Sequence, residues 1–152
     1  MRKAMLFLTV FALAGSLWAA DPIIGTWKLN HDKSKGSSDA TSKQTTPPTT
    51  VVYREVEGNL IEMSDGSPAS EKWTWPSQGG VVSRKPPLAE NMLYVETLIE
   101  PGHWYVTIMR DGKQAGFYQK IVEKDGKTLR QTLKYLLPEG KLIEVLTIYD
   151  RQ

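Results

Sequence analysis

The sequence has no cysteine and only two histidines, His31 and His103. The first absence excludes disulfide staples, thiol catalysis and thiolate metal sites. The second leaves few groups that titrate near neutral pH. Long amphipathic helices are missing from the pattern as well, and so are glycine-rich phosphate loops of the Walker or dinucleotide kind. Gly79-Gly80 reads instead as a hairpin turn. No apolar run reaches the roughly 18 to 20 residues that a membrane-spanning helix needs.

Excess charge is nearly absent too. The 152 residues hold 19 Lys+Arg against 17 Asp+Glu, a net charge of +2, and the two surplus cations are accounted for by Arg2 and Lys3. These precede an apolar stretch from Ala4 to Leu17 and the residues Trp18-Ala19-Ala20, the pattern of a secretory signal peptide over residues 1–20, with cleavage expected after Ala20. The remaining residues, 21–152, carry 17 Lys+Arg and all 17 Asp+Glu. A neutral chain offers no concentrated basic face, so nucleic acid is not an expected partner. The expectation is one exported domain at 21–152, periplasmic or secreted, without a membrane span once the signal is removed.

What is plentiful is the vocabulary of β-structure. Short runs rich in Val, Ile, Tyr and Trp alternate with the turn pairs Gly58-Asn59, Asp65-Gly66, Pro101-Gly102, Asp111-Gly112, Asp125-Gly126 and Glu139-Gly140. The last three fall 14 residues apart, and Asp-Gly favours tight hairpins, so consecutive strands of matched length fold back on one another. Between two of these turns, Leu129, Leu133, Tyr135 and Leu137 share one strand face and Thr128, Arg130, Thr132 and Lys134 the other. Candidate strands lie near 24–30, 50–57, 59–64, 71–76, 80–85, 91–100, 103–110, 114–124, 127–137 and 141–150. Runs such as Met92-Leu93-Tyr94-Val95 and Ile143-Glu144-Val145-Leu146 are apolar on both faces. Residues 31–50 are different: rich in Ser, Thr and Lys with Pro47 and Pro48, they read as a long polar loop, either a plain surface loop or a flap over a cavity. The expected fold is all-β, an antiparallel up-and-down meander closed into a barrel of eight to ten strands. A two-sheet sandwich is the alternative, but the uninterrupted hairpin order favours the barrel.

The opening Gly25-Thr26-Trp27-Lys28-Leu29, the meander and the ending Thr147-Ile148-Tyr149-Asp150-Arg151-Gln152 resemble the calycin superfamily, most of all exported bacterial lipocalin-like proteins. The resemblance implies a lipocalin-like barrel in which Trp27 plugs one end, Gly25 permits close backbone approach and a basic residue of the last strand, here Arg151, packs over the indole. A free terminal charge is the competing reading of Arg151. Fatty-acid-binding proteins are also similar, but they hold the carboxylate with an Arg-x-Tyr on the last strand. Here Thr147 stands at the arginine position before Tyr149.

Catalytic constellations are weak. His103 lies at a turn and reads as a satisfied or solvent-facing side chain rather than a haem or metal ligand, and neither a metal nor a cofactor is expected. The acids Glu55, Glu57, Glu62, Glu71, Glu96 and Glu123 read as the outer face of a barrel, with no pair singled out. The aromatic residues are more informative, because Trp73 and Trp75 lie two apart and point to one side of a strand, either as core or as a ligand platform. With Tyr53, Tyr94, Tyr105, Arg84 and Arg110 they form the candidate ligand-binding set. The leading functional expectation is a non-catalytic protein that binds or sequesters a small apolar or amphipathic molecule in the barrel. The alternative is a structural or interaction module of the cell envelope whose barrel is filled by side chains, and a calycin-type enzyme ranks third.

Overall fold

The computed structural model describes residues 20–36, 47–85 and 91–152. Except for Ala20, the expected signal segment lies outside the described residues. The chain forms β1 (Gly25–Leu29), β2 (Thr50–Val56), β3 (Leu60–Ser64), β4 (Lys72–Pro76), β5 (Gly80–Val81) and β6 (Ser83–Lys85). It continues through β7 (Met92–Glu100), β8 (His103–Arg110), β9 (Lys113–Val122), β10 (Thr128–Leu136) and β11 (Leu142–Arg151). All are antiparallel members of one sheet, ordered β5-β7-β8-β9-β10-β11-β1-β2-β3-β4-β6.

The two ends of that order are consecutive pieces of one short segment. Gly80 and Val81 pair with Glu96 and Val95, whereas Ser83, Arg84 and Lys85 pair with Thr74, Trp73 and Lys72. Between them the Val82 N–H donates to the Tyr94 carbonyl (3.0 Å) while the Val82 side chain is buried. Residues 80–85 therefore change partner midway, from β7 to β4, and bring the sheet nearly to closure as a barrel with few unpaired edge groups. The expected eight to ten strands become eleven segments. Counting the divided segment once leaves ten positions around the wall.

Alternation explains which residues face inward. Along β8, Trp104, Val106 and Ile108 are buried, and along β11 so are Ile143, Val145 and Thr147. The turns use the chemistry their sequences offer: Asp111 and Gly112 both adopt positive φ (51° and 72°), a two-residue turn whose twist matches the flanking strands. At Asp125 the carboxylate instead accepts the N–H groups of Lys127 (2.7 Å) and Thr128 (3.0 Å). After β1 the chain stays beside β11 as far as Lys35, which bridges Leu146.

One end of the barrel is filled by Ile23, Trp27, Trp104 and Leu129, all fully buried. The Trp27 indole donates to the Ile23 carbonyl (2.8 Å), and the Arg151 guanidinium carbon lies 4.2 Å from the centre of the Trp27 ring. Arg151 donates to three backbone carbonyls, those of Gly126 (2.7 Å), Ile24 (2.9 Å) and Pro22. It is thus a fixed strut rather than a free terminal charge. Gly25 has φ +147°, and a Cβ there would meet Arg151 Nη1 at 2.6 Å. The Asp21 carboxylate ties the same end together, accepting from the N–H of Ile23 (2.8 Å) and Gly102 (3.2 Å) and from the Trp104 indole (3.2 Å).

Candidate functional site

Above this packed end the inward faces do not meet, and they leave a cavity of about 550 Å³ inside the barrel. Its walls are mainly apolar and aromatic, with Trp73, Met92, Tyr94, Ile108 and Leu133 among them. Pro47 and Pro48 reach the wall from the polar loop, and the Tyr149 hydroxyl donates to the Pro48 carbonyl (3.2 Å). The last part of that loop therefore belongs to the cavity, while residues 37–46 lie outside the described residues. A mostly apolar enclosure of several hundred Å³ with a few oriented polar groups is the usual form of a small-molecule pocket.

The floor carries charge. Lys120 Nζ donates to Glu96 Oε1 at 2.6 Å, and the two side chains are only 2% and 4% exposed. The ammonium also lies 4.1 Å from the Trp75 ring centre, held against a π-face rather than in water. Removal from water is the larger influence on both groups: it holds the Glu96 carboxyl above its ordinary range and the Lys120 ammonium below its own, and their mutual attraction only partly offsets this. Among the described residues, Glu96 Oε2, the Trp75 indole N–H and Arg84 Nε have no hydrogen-bond partner.

Around the pair runs a neutral network. Gln131 donates to the Tyr53 hydroxyl (2.9 Å) and accepts from the Tyr118 hydroxyl. Burial holds both phenols well above their usual range, so they act as uncharged hydrogen-bonding groups. Higher on the wall, Arg84 lies over Trp73 (5.1 Å), Trp73 packs edge-on to Tyr94 (5.4 Å), and Arg84 pairs with Glu71.

The expected site residues separate into three groups. Trp73, Trp75, Arg84 and Tyr94 line the cavity together. Tyr53 lies under the floor, edge-on to Trp75 (6.2 Å), and Arg110 stands at the far end of β8, where its Nη1 donates to the cavity-lining Tyr135 hydroxyl (3.1 Å). Tyr105 is a correction: it falls between the inward residues Trp104 and Val106, so strand alternation turns it outward, where it stacks on Phe117 (5.3 Å). His103 shares that outer face and bonds Gln119 (2.8 Å). Glu96 is the second correction, an inward acid where outer-face dress was expected. Its two-residue offset from Tyr94 was the available signal, as was that of Lys120 from Tyr118. The first is obscured because β7 is apolar on both faces, the second because β9 carries polar residues on both.

Among the described residues, no group of three or more histidines and carboxylates is arranged to hold a metal ion, and no helix is long and apolar enough to cross a membrane. The chain matches no protein-family model and none of the curated proteins. The class of molecule is therefore set by the fold itself, an antiparallel barrel with an internal cavity.

Proposed function

We propose that the protein is an exported, lipocalin-like barrel that binds or sequesters a small, partly apolar molecule in its cavity without catalysing a reaction on it. The observation that supports the reading is the cavity of about 550 Å³, larger than the ~300 Å³ at which small-molecule pockets begin. A side-chain-filled structural barrel would lack it. The wall offers apolar and aromatic surface for the body of a ligand and few polar groups to orient it, and the resemblance of the first and last strands to calycins points the same way. Native mass spectrometry of the protein isolated from its own extracytoplasmic fraction tests the proposal. A co-purifying small molecule that is lost on denaturation is the expected result. Uniformly ligand-free protein that also fails to take up apolar probes would contradict it.

A further inference from the structure

The charges around the cavity do not balance, and the imbalance has a location. Lys120 is matched by Glu96 on the floor, and Arg84 by Glu71 on the wall. Arg110 has no such match: among the described residues its contacts are with Tyr135, whose hydroxyl it reaches at 3.1 Å and whose ring centre lies 5.5 Å from the guanidinium carbon. Among the described residues, that hydroxyl has the thioether of Met92 (3.9 Å) to receive its own proton. Among the described residues, the remaining guanidinium N–H groups and one phenolic O–H thus lie side by side without an anion.

The position matters as much as the charge. Arg110 ends β8 at the opposite end of the barrel from the Trp27 plug, and the same inward face then runs through Ile108 and Val106. From Arg110 to Val106 is four residues, or about 13 Å of apolar wall at roughly 3.3 Å per residue. The floor beyond it presents Glu96, whose Oε2 has no hydrogen-bond partner among the described residues. An anionic group pushed to the floor would face that carboxylate, whereas one left at the rim faces Arg110.

Resting on the ligand-binding reading, we infer that the ligand is an amphiphile with a single oxyanion head, held at Arg110 and Tyr135, and an apolar tail directed inward. Carboxylate, sulfate and phosphate heads share this chemistry, since each offers a planar or tetrahedral edge to the guanidinium fork.

The test is displacement of the neutral fluorophore N-phenylnaphthylamine from the purified protein at neutral pH. The competitors are decanoate, decyl sulfate, decyl phosphate, decanol and decyltrimethylammonium, each below its micellar concentration. At least one anion is expected to compete about tenfold or more better than decanol, as one charge-assisted contact permits, and the cation worst; the order among anions identifies the head. Arg110→Gln, in protein that keeps its melting temperature and still binds the fluorophore, should erase the preference for anions over decanol. Arg110→Lys should keep part of it, and Tyr135→Phe should weaken it severalfold. Equal competition by anion and alcohol, or a preference that survives Arg110→Gln, would overturn the inference while leaving a binding barrel. Failure to bind the fluorophore or any competitor would remove the ligand-binding reading itself.

Discussion

Trp27, Arg151 and Gly25 form a unit in which each residue sets the conditions for the others. The indole is fully buried and hydrogen-bonded, the guanidinium over it is held by three carbonyls, and the glycine leaves the space that the guanidinium occupies. Trp27→Ala is expected to cost about 3 to 5 kcal/mol, the range for truncating a buried aromatic side chain; urea denaturation measures it, and an unchanged midpoint would remove Trp27 from the core. The Lys120–Glu96 pair gives a different prediction. In Lys120→Met the buried carboxyl loses its counter-ion, so its folded-state pKa, already raised by burial, rises further above the unfolded value near 4.3. A carboxyl whose pKa is raised on folding favours the acid form. The variant should therefore approach wild-type stability below about pH 4 and lose it as pH rises, with a deficit of roughly 3 to 5 kcal/mol near neutrality. The double variant Lys120→Met with Glu96→Gln should recover most of the deficit. Urea midpoints across the pH range check both, and a pH-independent deficit would contradict the assignment.

At the scale of strands, most of the wall was legible because turn residues and two-residue alternation are local signals. The ten candidate segments correspond to the observed strands, and the 14-residue spacing of Asp111, Asp125 and Glu139 marks the β8 to β11 meander. What local signals do not carry is partnership. Nothing in Gly80 to Lys85 announces that Val81 pairs with Val95 while Arg84 pairs with Trp73, since the division comes from closing the ring. Facing is equally hidden: in β8 the adjacent rings of Trp104 and Tyr105 both suit an interior, and in β7, apolar on both faces, Glu96 reads as outward. Gly116 is a further case of long-range constraint. A Cβ there would lie 2.2 Å from the Lys134 carbonyl oxygen and 2.8 Å from the Tyr135 Cα, both backbone atoms of the neighbouring strand. Gly116→Val should therefore force β9 and β10 apart and destabilise the barrel by about 1 to 3 kcal/mol or more. Faster amide exchange at the paired residues 133–135 would show that the damage is local to this ladder.

For the whole molecule, the distribution of volume and charge matters more than any single contact. Beyond residues 1–20 the chain is formally neutral, which directs attention from the surface field to the interior, where apolar walls surround a floor with a buried ion pair and a rim with an arginine that has no acidic partner among the described residues. If this interior receives a ligand, filling it should abolish binding. Ile108 lines the cavity midway along β8, so Ile108→Trp should occupy the space a ligand would use. In a titration with N-phenylnaphthylamine, wild-type protein is expected to show saturable one-to-one enhancement of fluorescence. Ile108→Trp, with its melting temperature retained, should lose at least tenfold in affinity. No saturable binding by the wild type, or binding undiminished in the folded Ile108→Trp variant, would contradict a ligand-receiving cavity.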